Sequence, residues 1–370
     1  QETKETRGRK KKRLPKWHMK KITKRYLFFV SLSYSYPILR PLQKEIWRRG
    51  DEVFWFIEDD TSQKQLKKNE QQLKTIEEVI NYNPDAVFAP GNYIYHFFPG
   101  IKVSLFHGYP INKRNNKQDD HFKIRGWFDI YCTQGQSSTP IFKQLEKKHK
   151  HFKVYETGWS KTDALLSPNI KIKPRNNKTP TIFVASTFSK NISYLHQFYS
   201  IIEELAQRRT WNWVITLHPK IQDKKLIAQY TQLASRFSNI KFLPKINNIS
   251  TLYNTDVMLC DSSSIIIEYM LLNKPVVTYK NTSPGKHLIN VDNLNNIEPA
   301  IEKALTHPKE LMKEINSYVS KHESHRDGHN STRILDAVDD FIKNYQGRIK
   351  RKPINLLRKL KLRLNTNFWG

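Results

Sequence analysis

The strongest constraint on this chain's fold is a regular alternation of short apolar runs with amphipathic stretches, in two series along its 370 residues. The first series contains the strand-like runs RYLFFV, DEVFWFIED, DAVFAPGN, IKVSLF, WFDIYCTQ and FKVYETG, and the second contains TIFVAST, WNWVITLHPK, IKFLPK, VMLCDS and PVVTY. Helical patterns separate many of them, notably at 62–81, 191–209, 223–236 and 264–272. Such alternation is typical of parallel sheets covered by helices. It predicts an α/β fold with two Rossmann-like doubly wound domains facing a cleft.

The predicted domain boundaries follow changes in composition. The segment LLSPNIKIKPRNNKTP, rich in Pro, Asn and Lys, is interpreted as the linker. We therefore expect a basic tail at 1–25, a first Rossmann-like domain at 26–170, a second Rossmann-like domain at 178–342 and a basic amphipathic tail at 343–370.

The net charge of +29 is concentrated at the two ends of the chain. Residues 1–25 hold twelve Lys or Arg and two Glu, and residues 343–370 hold nine Lys or Arg and no acid. Basic tails of this kind bind nucleic acids or anionic membrane surfaces, and a Lys- and Asn-rich genome is a third explanation. No apolar run approaches the ~20 residues of a membrane span. The two cysteines do not suffice for a disulfide framework or a cysteine metal site.

Small polar residues follow the predicted strand VMLC in the run CDSSSIIIEY. Asp261, Ser262, Ser263 and Ser264 stand where a helix begins, and helix N-termini with hydroxyl donors suit a phosphate. Helix capping is the alternative, but one cap explains only one of these four residues. Glu268 follows one turn later, where it accepts a ribose hydroxyl or is a solvated surface charge.

Two histidines also stand at predicted strand ends. In VITLHPK, His218 and Lys220 suit a phosphate, or His218 is an ordinary loop histidine. In VSLFHGYPINK, an unusual turn at Gly108 exposes His107, whose ordinary pKa near 6.5 suits a general base. The pairs Thr157-Gly158 and Ser186-Thr187 end further strands and are candidate substrate contacts.

A metal site is not predicted. His322, His325 and His329 match no zinc spacing, and Arg326 would repel a cation. A turn at Asp327-Gly328 followed by a capped helix is the preferred interpretation of this segment. Walker A and GxGxxG phosphate loops are absent from the sequence.

Several motifs, in order over residues 100–340, resemble the CDP-glycerol glycerophosphotransferases, the family of teichoic-acid primases and polymerases and their capsule-making relatives. The motifs are HGYPINK, TGWSKTD, VASTF, LHPK, TDVMLCDSSSIIIEYMLLNKPVVTY and RDGHNSTRILD. Departures include Tyr109 where the family has Thr, Ser262 where it has Tyr, and Lys113 beside the position of the family's Lys. These departures lie mostly in the first domain. The resemblance implies that this domain (26–170) binds the acceptor and that the second domain (178–342) binds the CDP-linked donor.

The resemblance implies a glycosyltransferase B type of fold and transfer of a polyol phosphate from a CDP-polyol to a hydroxyl, with release of CMP. Glycerol phosphate is the first expectation and ribitol phosphate the second. It implies that His107 is the general base, that His218 binds the pyrophosphate, that Ser263 and Ser264 hold the phosphates and that Glu268 binds the ribose. The remaining residues assigned to substrate binding are Gly108, Lys113, Gly158, Ser186, Thr187, Lys220, Asp261, Ser262, Arg326 and Asp327. No cofactor is required, and Mg²⁺ is left open because carboxylates are sparse in the motifs.

The same resemblance implies a lipid-linked or glycan acceptor and a peripheral location on the cytoplasmic face of the cell membrane. The run INLLRKLKLRL supports a membrane-surface helix, because Leu356, Leu357, Leu360 and Leu364 share one face. Leu362 interrupts this pattern.

Two other functions compete with this interpretation. A glycosyltransferase or epimerase that uses a UDP-sugar would need the same nucleotide site. A nucleic-acid binder would account for the charge, but the tails lack the interleaved aromatic residues that stack on bases, so nucleic acid is not an expected partner.

Overall fold

The computed structural model of this chain describes residues 23–110, 120–166, 179–218, 221–244 and 249–369. The first sheet contains β1 (Arg25–Val30), β2 (Glu52–Ile57), β3 (Ala86–Ala89), β4 (Ile101–Ser104), β5 (Ile130–Thr133) and β6 (Lys153–Glu156). The second contains β7 (Thr181–Val184), β8 (Asn212–Thr216), β9 (Ile240–Leu243), β10 (Val257–Cys260), β11 (Val276–Tyr279) and β12 (Ile289–Val291).

Helices of the described residues cover and connect the sheets. They are α1 (Tyr36–Arg48), α2 (Asp60–Gln63), α3 (Ile76–Tyr82), α4 (Thr139–His149), α5 (Ser160–Leu166), α6 (Leu195–Arg208), α7 (Lys224–Arg236), α8 (Ile249–Tyr253), α9 (Ile265–Met270), α10 (Ile297–Leu305), α11 (Lys309–His322), α12 (Asn330–Asn344) and α13 (Leu356–Thr366). None of them is both long and apolar enough to cross a membrane.

Both sheets are parallel throughout, with strand orders β2-β1-β3-β4-β5-β6 and β12-β11-β10-β7-β8-β9. The interior strand β1, which lies between β2 and β3, is buried on both faces, as its continuously apolar sequence YLFFV requires. In each sheet the strand order reverses once, between β1 and β3 and between β7 and β10. The predicted α/β fold with two Rossmann-like doubly wound sheets is confirmed, and ligands of such folds bind outside the strand ends at these reversals.

The chain returns to the first sheet after completing the second. Helix α12 packs on α1 and α5, and its Asp336 pairs at 2.7 Å with Arg49, the residue that follows α1. The first turn of α12 is held by α5, because Asp163 on that helix accepts hydrogen bonds from the backbone N–H groups of Asn330 (2.8 Å) and Ser331 (2.6 Å). The domain boundaries themselves stay predictions. Residues 1–22 and most of the predicted linker lie outside the described residues.

One predicted helix is wrong. The stretch 62–81 forms only the short α2 and the later α3, because residues between them pair with the edge strand β2. Trp55 N–H donates to Gln71 O, and Leu73 N–H donates to Trp55 O, both at 2.9 Å. Helix α3 then starts at a capping box between Thr75 and Glu78. The three-residue strand β12 was not predicted.

Candidate active site

The turn from β10 to α9 carries Asp261 and the three serines at the reversal point of the second sheet. The Asp261 carboxylate accepts from Thr187 N–H at 2.8 Å, from Ser262 N–H at 2.6 Å and from the Ser186 hydroxyl. Burial raises the pKa of Asp261, although these donors act in the opposite direction. Asp261 therefore ties the ends of β7 and β10 together and shapes the turn, with its oxygens occupied by protein donors.

The hydroxyls of Ser262, Ser264 and Thr187 also lie at this reversal point. Ser264 precedes α9 but its side chain makes no capping bond, which removes the capping explanation for this serine. Ser262 Oγ accepts from Thr282 N–H at 2.9 Å and so braces the neighbouring loop. Thr187 is 1% exposed, and its Oγ1 has no hydrogen-bond partner among the described residues. A buried hydroxyl without a partner is costly, and a bound polar ligand would satisfy it.

The opposite wall comes from the end of β4 in the first sheet. Phe106 is buried and has a positive φ of 55°, a strained conformation for an aromatic residue. This twist turns His107 outward, where its ring lies 5.3 Å from the ring of Tyr34. The predicted reason was wrong: the unusual backbone lies at Phe106, whereas Gly108 does not have a positive φ.

The two walls meet at two places. A Cβ added to Gly108 would lie 3.9 Å from Ser264 Oγ, so the first-domain turn faces the serine turn directly. On α9, the helix that follows the serines, Glu268 pairs with Lys161 of α5, whose Nζ lies 2.7 Å from Oε2 and 2.8 Å from Oε1. Lys161 was not predicted as a site residue, although it lies within the TGWSKTD motif.

A buried polar cluster sits behind the first wall and joins the two halves of the chain. Glu323 accepts from the Tyr109 hydroxyl at 2.7 Å, from Trp159 N–H at 3.2 Å and from Asn330 Nδ2 at 3.1 Å. Burial raises the pKa of Glu323 to about 8. Gly158 packs against this cluster with a φ of +74°, and any side chain there would clash with Asn330. Within the described residues, Gly158 therefore packs closely against this cluster, and its predicted contact with the substrate stays a prediction.

The remaining predicted residues are dispersed. His218 is half-buried, and its ring lies 4.6 Å from that of Phe188, in the loop that follows Thr187. Arg326 and Asp327 are exposed, and Asp327 pairs with Arg333 at 2.5 Å. Lys113 and Lys220 lie outside the described residues.

His322 and His325, two of the three histidines considered as metal ligands, have separate partners. His322 Nδ1 lies 2.9 Å from Tyr318 O, and His325 Nε2 lies 3.3 Å from Glu156 O. Across the described ranges, no three His, Cys, Asp or Glu side chains come together as metal ligands.

The fold is shared with solved structures of low sequence identity. A putative UDP-N-acetylglucosamine 2-epimerase from Listeria monocytogenes is 16% identical, with a TM-score of 0.62 over 87% of this chain and 97% of that chain. The S. aureus MnaA–UDP complex is also 16% identical, with a TM-score of 0.60 over 90% and 99%. The wall teichoic acid polymerase TagF is 14% identical, with a TM-score of 0.64 over 87% and 89%. These likenesses establish the two-domain fold of the glycosyltransferase B type.

The sequence itself matches a family model. No curated protein matches the chain significantly. Residues 139–339 match the model for UDP-N-acetylglucosamine 2-epimerase, which differs from the family that the short motifs resemble. Because the match spans more than half of the 370 residues, the chain belongs to the UDP-N-acetylglucosamine 2-epimerase family.

Proposed function

We propose that this protein is an enzyme that acts on a nucleotide-linked substrate, and that it epimerises a UDP-sugar. The observation that carries the proposal is the extent of the family match. Residues 139–339 include the whole reversal point of the second sheet, from Ser186 to Glu268. This is the part of a doubly wound domain that binds a nucleotide.

The serine turn supplies the diphosphate site of this proposal. Ser263 and Ser264 offer small hydroxyl side chains at the turn, and Thr187 offers a buried hydroxyl that has no partner in the described part of the chain. Glu268 is placed one turn into α9, where it would accept a ribose hydroxyl while paired with Lys161. His218 approaches from the neighbouring strand end, next to the loop of Thr187.

The reacting sugar would lie between the serine turn and His107. Epimerisation at a carbon requires removal of its proton and return of a proton to the other face. His107 is exposed, and the Gly108 that follows it faces Ser264, so the imidazole is a suitable proton acceptor on the first wall. No metal ion is assigned to this step.

A second candidate is transfer of a polyol phosphate from a CDP-polyol to a hydroxyl, with release of CMP. The observation in favour is that the nearby carboxylates, those of Asp261, Glu268 and Glu323, are each bound by protein donors. The general base would therefore be His107 and not a carboxylate. A histidine base suits an attacking hydroxyl, and the likeness to TagF, a wall teichoic acid polymerase, agrees with this chemistry. The acceptor in this case would be a lipid-linked or glycan hydroxyl.

Proton NMR in D₂O separates the two candidates. An epimerase exchanges the proton at the inverted carbon, so UDP-N-acetylglucosamine should lose its H2 signal and gain a second epimer. The CDP-polyol candidate instead predicts CMP formation from CDP-glycerol or CDP-ribitol in phosphorus NMR when an acceptor is present. If none of these substrates shows either change, both proposals are refuted.

His107→Ala tests the base in whichever assay is positive. Turnover should fall by about 10²–10⁴-fold, with nucleotide affinity unchanged in calorimetry. His196→Ala on the exposed face of α6 is the matched control and should behave like the wild type. Normal turnover of the His107 variant would contradict the assignment.

A further inference from the structure

Helix α13 is fastened to the first domain by one face. Leu362 packs against an apolar cluster that includes Phe29 of β1 and Val87 of β3. The Phe368 ring, just after the helix, lies 4.8 Å from that of Phe97. The preceding segment is anchored as well, because Lys352 pairs with Asp129 at 2.7 Å and Asn355 Nδ2 donates to Arg125 O at 2.9 Å. Leu362, which interrupts the leucine pattern in the sequence, is therefore an anchor.

The opposite face of α13 exposes an apolar stripe. Successive residues turn by about 100°, which places Leu356, Leu360, Leu364 and Leu357 within one arc of about 100°. Their exposed fractions are 71%, 43%, 62% and 80%, respectively. Ile354 at 75% and Trp369 at 57% extend the apolar surface at both ends of the helix. Among the described residues, these six are the most exposed large apolar side chains, so the exposure is concentrated here.

Positive charge borders the stripe on both sides. At the same spacing of about 100° per residue, Lys361 and Arg358 follow one edge, and Lys359 and Arg363 follow the other. A small cavity of about 90 Å³ next to the helix is lined by His96, Lys102, Lys352 and Lys359 together with Gly126, Trp127 and Pro353. Residues 343–370 contain no acidic residue.

We propose that the exposed face of α13 docks on an anionic phospholipid bilayer, with its leucines in the acyl boundary and the flanking Lys and Arg at the headgroups. An apolar stripe between two basic edges is complementary to such a surface, where a purely apolar stripe would suit a second protein. Because Leu362 and the Lys352–Asp129 pair fix the helix to the first domain, docking would hold the enzyme itself at the membrane. The proposal does not depend on the reaction that the cleft performs.

Co-sedimentation of the full chain with vesicles tests this proposal. The probes are vesicles of phosphatidylcholine alone and vesicles with added phosphatidylglycerol. We expect the wild type to bind the anionic vesicles, and Leu357→Glu with Leu364→Glu to lower the partition coefficient by at least about tenfold. Arg358→Ala with Lys361→Ala should reduce binding to anionic vesicles and weaken its dependence on salt.

Ile141→Glu is the matched control, because Ile141 is an exposed apolar residue on α4 of the same domain. It should bind vesicles like the wild type, and circular dichroism should show that all variants remain folded. Equal binding of the leucine variant and the wild type would overturn the proposal, since other basic segments would then carry the binding. Absence of wild-type binding to anionic vesicles would also overturn it. So would light scattering that shows a wild-type dimer and a monomeric Leu357→Glu variant, because the stripe would then be buried between two copies of the chain.

Discussion

The Lys161 ammonium lies 2.7 Å from the Glu268 carboxylate and connects the first-domain helix α5 to the helix that follows the serine turn. Both side chains are largely withdrawn from solvent, with exposed fractions of 26% and 9%. The two residues are 107 positions apart in the chain. The pair therefore ties the proposed nucleotide site to the domain that carries His107.

A double-mutant cycle with Lys161→Met and Glu268→Gln should show a coupling of about 1 kcal/mol in the free energy of unfolding, measured in urea. The surface pair Arg208–Glu204 is the control, since its side chains are 49% and 60% exposed. Its coupling should not exceed about 0.5 kcal/mol. Equal coupling in both pairs would mean that Lys161 and Glu268 act as an ordinary surface ion pair.

Replacement of Thr187 by Val should separate stability from binding. The variant removes a buried hydroxyl that has no partner in the described structure, so the ligand-free protein should be unchanged or more stable by up to about 1 kcal/mol. Affinity for the nucleotide substrate should fall in calorimetry. Thr216→Val is the control, because Thr216 Oγ1 donates to Leu243 O at 2.9 Å and its loss should destabilise the protein without affecting the nucleotide. Unchanged nucleotide affinity of Thr187→Val would remove Thr187 from the site.

The stability of this protein should fall as pH rises through the titration of Glu323. Burial raises the folded-state pKa to about 8 from an ordinary value of 4.5, so the folded protein retains a proton that the unfolded chain releases. The contribution is complete below pH 4.5 and is lost as pH rises to about 8.

Glu323→Gln tests this assignment. The unfolding free energy of the wild type should exceed that of the variant by an amount that depends on pH. This difference should decrease by on the order of a few kcal/mol between about pH 5 and about pH 9. The groups that face the carboxyl are Tyr109, Trp159, Asn330 and the nearby Asp163. A difference that does not change with pH would show that Glu323 titrates normally.

Gly158→Ala should destabilise the protein more than the same change at Gly50. Both glycines have a positive φ, +74° and +73°, so the backbone penalty of about 1 kcal/mol is shared. A Cβ at Gly50 meets nothing within 4 Å, whereas one at Gly158 collides with Asn330 and Glu323. We expect an additional loss of about 1–3 kcal/mol in urea unfolding. Equal losses of unfolding free energy at the two glycines would show that the side chains of Asn330 and Glu323 move aside at little cost.

The sequence by itself determined the two parallel sheets and most of their strands, because fully buried strands such as β1 require continuous apolar runs. It also located the serine turn and His107, since residues that follow strands meet at one edge of a parallel sheet. It did not predict the break at 64–75, where pairing of Gln71 and Leu73 with Trp55 outweighed a helical pattern.

Only the tertiary structure decided which residues join the two domains. Tyr109 and Glu323 are 214 positions apart, and nothing in either local sequence reveals a partner at that separation. Their contact and the capping of α12 by Asp163 arise because the chain returns to the first sheet after completing the second. The Lys161–Glu268 pair instead joins α5 of the first domain directly to α9 of the second. Local patterns report burial and period, which depend on near neighbours, whereas a polar contact between domains depends on how two separately formed sheets pack against each other.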